Sequence, residues 1–246
     1  MKEKIVRWIK KQVKDAKAKG IVLGLSGGVD SGVVASLSKE AVGRKNLLGL
    51  IMPCHSQPQD LKDAKLAAKE LGIKTKTIDL SGIYDSLRKI LPKAGSLAQA
   101  NLKPRLRMLT LYYFANKLNY LVCGTGNKSE LMVGYFSKHG DGATDILPIG
   151  DLLKREVRKL AKDLGVPERI ITKPPSAGLW PGQTDEGEMR ITYPELDDIL
   201  ERIEKKRGQV LSKKKINKVK GMIKRSEHKR KGPPICQMKP KLTERK

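Results

Sequence analysis

The chain has 246 residues, is 39% hydrophobic but only 4% aromatic, and carries a formal net charge of +25. That length suits one large α/β domain with an aliphatic core, and the absence of any run of about eighteen apolar residues excludes a membrane-spanning helix. Cys54, Cys123 and Cys236 show no CxxC spacing and the N-terminus lacks a signal-like apolar stretch, so neither a zinc site nor a disulfide scaffold is expected and the protein is read as cytoplasmic.

Residues 3–18 are predicted to form a basic amphipathic helix, with Ile5, Trp8 or Ile9, and Val13 on one side, ended by Gly20. A strand is expected over 21–26, and a helix from the end of the following loop to about Gly43. Leu47–Met52 is a second apolar strand, closed by Pro53. Helical spacing over 59–71 and alternation over 74–80 then give a β-α-β-α-β order. This order predicts a Rossmann-like α/β fold, an open parallel sheet with helices on both faces.

A helix over about 82–91 follows, then a long helix over 97–118 that Pro104 breaks or kinks. Tyr120–Gly124 is a fourth strand. Residues 152–164 read as a helix. Residues 173–190, with their prolines, glycines and acids, read as a long mobile loop, a candidate lid with Asp185 and Glu186 at its tip. Thr192 and Glu195 suggest a capping box that opens a helix with Leu196, Ile199, Leu200 and Ile203 as its apolar stripe. A last basic helix spans about 212–224. With no internal repeat or linker, 1–246 is read as a single domain. The basic segment at about 205–246 belongs to it, its last residues being candidates for disorder.

Two glycine-rich turns carry the chemistry. The first, Gly24-Leu25-Ser26-Gly27-Gly28-Val29-Asp30-Ser31, joins the first strand to a helix. Glycines let the backbone approach an anion, and the free N–H groups of a first helical turn point at it. No Gly-Lys-Ser/Thr closes this loop, so it is not a Walker A loop. Asp30 stands inside it instead, and an acid beside a phosphate makes sense with a divalent cation between them. The second turn, Gly124-Thr125-Gly126-Asn127-Lys128-Ser129-Glu130, follows the fourth strand. Ligands of open parallel sheets lie at the carboxyl ends of strands, so both turns are expected to face one crevice.

Ser26–Ser31 resembles the pyrophosphate loop of the N-type ATP pyrophosphatases. Within that superfamily, residues 101–108, Gly124–Glu130, Tyr135–Gly142, Asp145-Ile146 with Pro148, Pro175–Trp180 and His228–Pro234 resemble the ammonia-dependent NAD synthetase family. The resemblance covers nearly the whole chain and implies the adenine nucleotide alpha-hydrolase-like form of the fold. It implies a ligase that adenylates deamido-NAD with ATP and lets ammonia displace AMP, releasing pyrophosphate. It also implies Mg2+ as cofactor and a homodimer with the dinucleotide site at its interface.

By the family's pattern, ATP is bound by Gly24, Leu25, Ser26, Gly27, Gly28, Val29, Asp30, Ser31, Thr125, Lys154 and Ser176. Magnesium falls to Asp30 and Glu130, and deamido-NAD to Arg105, Lys138, Asp145, His228 and Lys229. Catalytic roles fall to Lys154, as neutraliser of charge on the phosphates, and to Asp141 or a neighbour, as holder of ammonium and acceptor of its proton. Each has a plainer reading as well. Glu130 suits a first helical turn, Lys154 an exposed helix surface, and Asp141 a turn between two glycines. His55 and His139 receive no catalytic role.

Free ammonia is the expected nitrogen source, because a glutamine-using relative carries an added amidase domain, the alternative being a separate amidotransferase subunit that delivers it. Two rival functions stay open: an adenylating superfamily member acting on tRNA, and a non-catalytic nucleic-acid binder. The +25 charge suits both. Yet the basic C-terminal segment lacks interleaved aromatics and Asp30 repels phosphate, so nucleic acid is the disfavoured partner.

Overall fold

Leu47, Ile51, Ile21 and Leu23 share one buried cluster, whereas Leu48, Leu50 and Val22 share another. Successive strand side chains point to opposite faces, so this split requires a sheet covered on both sides. A computed structural model describes residues 1–205, 212–236 and 238 and has that architecture. Strands β1 (Gly20–Gly24), β2 (Leu47–Ile51), β3 (Thr75–Thr77) and β4 (Tyr120–Val122) form one sheet in the order β3-β2-β1-β4. Every pairing is parallel, with Ile21 opposite Leu47 on one side and Leu121 on the other. A further parallel bridge joins Cys123 to Ile146.

One face is covered by α1 (Lys2–Asp15), α2 (Val29–Val42), α3 (Pro58–Glu70), α8 (Lys154–Asp163) and α9 (Glu168–Ile171). Val6 and Ile9 of α1, Val33, Val34 and Leu37 of α2, and Val157 and Leu160 of α8 make this larger core aliphatic. The other face takes α4 (Ser81–Ile90) and α6 (Leu102–Leu118) through Tyr84, Leu106 and Ala115, with α5 (Ser96–Ala100) packed beside α6. A third cluster forms away from the sheet. It joins α7 (Lys128–Val133), α10 (Asp185–Met189), α11 (Tyr193–Lys205) and α12 (Lys213–Arg225), and α13 (Glu227–Arg230) follows.

Three expectations change in detail, and a fourth falls partly outside the described residues. The third strand is three residues long, because only Thr75–Thr77 pair with β2. The helix expected over 97–118 is two helices that part at Asn101, so Pro104 lies in the first turn of α6, where its missing N–H costs nothing. Residues 185–189 are helical. Asp185 is only 5% exposed, so it is an anchor inside the protein rather than the tip of a lid. Of the basic segment at 205–246, residues 206–211, 237 and 239–246, including the end expected to be disordered, lie outside the described residues.

The C-terminal helices dock through Gly134, which ends α7 in the left-handed region at φ 70°. A Cβ there would lie 2.1 Å from the Ser226 Cβ. Gly134→Ala is therefore expected to destabilise the fold by about 2–4 kcal/mol, from backbone strain plus displacement of the α12–α13 junction. Urea denaturation followed by circular dichroism measures it. Among the described residues, no helix is long and apolar enough to cross a membrane.

Candidate active site

The chain runs from β1 through β2 to β3 on one side and returns to β4 on the other, so strand order reverses between β1 and β4. The two glycine turns follow these two strands. Gly24, Ser26, Gly28, Thr125 and Glu130 all line one cavity of about 480 Å³ at the strands' carboxyl ends, where an open parallel sheet places its ligand.

Within the first turn Gly27 takes φ +80°, a left-handed conformation that favours glycine. The loop is held by its own serines: Ser31 Oγ donates to Gly28 O at 2.9 Å, and Gly28 N donates to Ser26 Oγ at 3.2 Å. Gly28 caps α2 with no side-chain bond. The first amides of α2 are thereby left for an anion.

Asp30 sits in the first turn of α2. Its Oδ1 accepts from Asn127 Nδ2 at 2.9 Å and its Oδ2 from Lys154 Nζ at 2.5 Å. Glu130 answers from the second turn. Its Oε2 closes a capping box with Asn127, accepting from Asn127 N at 3.2 Å while Glu130 N donates to Asn127 Oδ1 at 3.0 Å. Its Oε1 accepts from Lys154 Nζ at 3.1 Å. The first-turn role and the site role thus use different oxygens of one carboxylate.

Lys154, 1% exposed, is no surface lysine. Burial alone would lower its pKa, but Asp30 and Glu130 outweigh that and raise it. Burial pushes Glu130 up to about 7, with Asp30 adding to the rise and Lys154 opposing it.

Tyr193, Asp185 and Asn127 complete this centre, and the sequence reading missed their roles. The Tyr193 hydroxyl lies 2.8 Å from Asp185 Oδ2 and 3.2 Å from Glu130 Oε1, with its ring under Lys154 Nζ at 4.8 Å. Asn127 was findable, since Asn-x-x-Glu ahead of a helix spells a capping box. Tyr193 had no signal, because only tertiary packing brings the start of α11 here. Below it, fully buried Asp197 accepts from Ser129 Oγ at 2.5 Å and Arg155 N at 2.9 Å, fixing the starts of α7 and α8.

Asp30 and Glu130 converge on the Lys154 ammonium from separate strand ends, and Asp185 meets Glu130 only through the Tyr193 hydroxyl. A pair of carboxylates suits a hard divalent cation shared with a bound anion; among the described residues no group of three or more His, Cys, Asp or Glu could hold a metal by itself.

The other predicted residues divide into groups. Ser176 lines the cavity. Lys229 lines it too, its Nζ donating to Gly134 O and Phe136 O, each at 2.8 Å. Arg105 Nη2 reaches Lys138 O at 3.5 Å, and Lys138 Nζ donates to His228 O at 2.7 Å, so these three form a chain beside the 134–142 turn. Asp145 stands apart, accepting from Val122 N at 2.7 Å and from the Tyr112 hydroxyl at 3.1 Å. Asp141 lines the cavity and accepts from Ser137 N at 2.9 Å. Burial raises its pKa, while the Ser137 amide, Arg107 and Lys229 oppose the rise.

A model of the NAD synthase family matches residues 1–233. The chain belongs to the NAD synthase family. The NH(3)-dependent NAD(+) synthetase of Carboxydothermus hydrogenoformans is 50% identical over 238 residues, 95% of either chain. The NMN synthetase structure from Francisella tularensis is 40% identical, with a TM-score of 0.87, over 98% of this chain and 97% of that one. The NH3-dependent NAD synthetase of Campylobacter jejuni, in complex with the nitrate ion, is 33% identical with a TM-score of 0.83, covering 96% and 97%.

Proposed function

We propose that this NAD synthase family member amidates deamido-NAD with ammonia and ATP, forming NAD, AMP and pyrophosphate through an adenylated intermediate. The observation that carries the reading is the meeting of Asp30 and Glu130 at Lys154 in the mouth of the phosphate loop. It sits within a family whose curated relatives are named NH(3)-dependent NAD(+) synthetases.

In this reading the amides of Gly27, Gly28 and Val29 and the hydroxyls of Ser26 and Ser31 hold the triphosphate, with Thr125 and Ser176 on the facing walls. Asp30 and Glu130 would hold Mg2+, which when bound neutralises phosphate charge and orients the α-phosphate. Lys154 stays protonated because its carboxylate partners hold its pKa up, so it remains a fixed positive charge beside the departing pyrophosphate. Arg105, Lys138 and Lys229 offer cations to the anionic acceptor, with His228 and Asp145 on the same dinucleotide. Asp141, whose pKa burial raises, takes a proton from ammonium at the cavity wall.

We further propose that residues 1–246 act as one domain, in the cytoplasm, as a homodimer. Exposed Ile83, Ile90, Leu91, Leu97, Leu109 and Tyr113, all on or between α4, α5 and α6, supply apolar surface for such a contact.

Purified protein given ATP, Mg2+, ammonium and deamido-NAD is expected to form NAD, AMP and pyrophosphate in equal amounts, read by a coupled dehydrogenase assay and chromatography. Failure to form NAD overturns the reading. Amidation of nicotinate mononucleotide instead would align the chain with its NMN synthetase neighbour, and pyrophosphate release that requires tRNA would revive the tRNA-acting alternative.

A further inference from the structure

Ser176 reaches the cavity on the stretch that follows α9, and one ion cluster ties that stretch down. Lys173 Nζ donates to Asp60 Oδ1 at 2.8 Å and to Asp63 Oδ2 at 2.7 Å. Asp63 is 2% exposed. It also accepts from Gln59 Nε2 at 2.7 Å and pairs with Arg169 Nε at 3.2 Å. Burial alone would raise the Asp63 carboxyl, but its bonds to Lys173 and Gln59 outweigh that and hold it below the usual carboxylate range.

The same turn of α3 forms the wall behind the phosphate loop. A Cβ on Gly27 would lie 2.8 Å from Ala64 N, 2.9 Å from Asp60 O and 2.9 Å from Asp63 Cβ. At the other side, a Cβ on Gly178 would lie 3.7 Å from Asp60 Oδ2. Helix α3 therefore touches the phosphate loop with its backbone and holds the Ser176 stretch with its carboxylates.

We propose that Lys173 is a positioning residue. Its ion pairs with Asp60 and Asp63 hold the Ser176 stretch in register with the phosphate loop, so that both grip one triphosphate. This rests on the ATP-using reading above. A buried carboxylate left without its cation is costly, so the geometry has one preferred state. The rival role is direct contact of Lys173 with phosphate, since Lys173 itself lines the cavity. Asp63 separates the two, because it does not line the cavity and its carboxylate holds Lys173 directly.

The test measures ATP binding by calorimetry without acceptor, and KM for ATP and for acceptor in separate titrations. Lys173→Met is expected to weaken ATP binding and raise KM for ATP about tenfold, with KM for deamido-NAD within about twofold. Lys173→Arg should recover most of the loss. Asp63→Asn should reproduce the ATP defect, and the double variant should be no worse than the poorer single, as for two residues acting through one contact. Asp63→Glu, which keeps the charge but displaces the carboxylate from Lys173, takes that arm if Asp63→Asn does not fold. Unchanged ATP affinity in Lys173→Met overturns the proposal, as does an equal rise in both KM values. Wild-type behaviour of Asp63→Asn beside a defective Lys173→Met overturns it in favour of direct contact. Because ATP binding is read without turnover, a wild-type protein that binds ATP yet forms no NAD counts against the proposed function alone.

Discussion

Asp30→Ala is expected to lower NAD formation by roughly 10²–10³-fold or more while leaving the fold in place, the scale of removing one fixed group that stabilises transition-state charge. The loss follows from what Asp30 does on both sides of the phosphate loop. It stands in the first turn of α2, where phosphate oxygens would arrive, and it receives Lys154 and Asn127. Without it the cation site keeps Glu130 but loses the carboxylate nearest the loop. The fold survives because Lys154 retains Glu130 at 3.1 Å and so is not left as an unpaired buried charge. The check is paired: steady-state kinetics across a magnesium titration, and a thermal melt. A melting temperature within a few degrees of wild type, with activity lost at every magnesium concentration, is the expected pair of results. Wild-type turnover in Asp30→Ala would remove Asp30 from the reaction.

Lys154→Met should show the opposite balance, with stability falling along with activity. The ammonium is the cation that Asp30 and Glu130 share. Its removal leaves two carboxylates facing each other with, among the described residues, only Asn127 and Tyr193 as side-chain donors to them. Breaking a buried ion pair from one side costs about 3–5 kcal/mol, which for a chain of this size lowers the melting temperature by about 10 °C.

Two further signatures identify the cause. Magnesium should raise the melting temperature of Lys154→Met more than that of wild type, because a divalent cation restores the missing positive charge. Lowering the pH from 8 towards 6 should also stabilise the variant. Glu130 has its folded pKa raised to about 7 even beside Lys154, well above an ordinary glutamate. The native state therefore binds the proton more readily than the unfolded chain, and stability rises as pH falls through the folded value. Losing Lys154 removes the group that opposes this rise and strengthens the effect. A melting temperature insensitive to both magnesium and pH would show that Lys154 does not neutralise these carboxylates.

Local signals carried much of the site. Paired glycines after an apolar strand marked one wall of the cavity, and the glycine-rich turn after β4 marked the facing wall. A reading of strand ends as ligand sites then put Asp30 and Glu130 in one crevice, which their shared contact with Lys154 bears out. Lys154 shows where such reading stops. Its neighbours in sequence, Leu153 and Arg155, say nothing about burial, and an exposed helix position was an equally fair reading. Asp185 shows the same limit from the other direction. Glycines, prolines and acids around it suggested an exposed tip, yet the Tyr193 hydroxyl and the surrounding cluster bury it.

The sequence by itself determined the alternation that covers both faces of the sheet, the two glycine-rich turns that face one cavity and, through its order of motifs, the family. These depend on contacts between residues close along the chain, where periodicity, glycine and capping patterns have direct physical meaning. Tertiary structure alone decided which charges meet: Lys154 with Asp30 across 124 positions, Lys173 with Asp60 across 113, and Tyr193 with Glu130 across 63. Whether a charged side chain is solvated or becomes a fixed element of a site depends on what packs over it. That packing comes from distant segments, which no local pattern encodes.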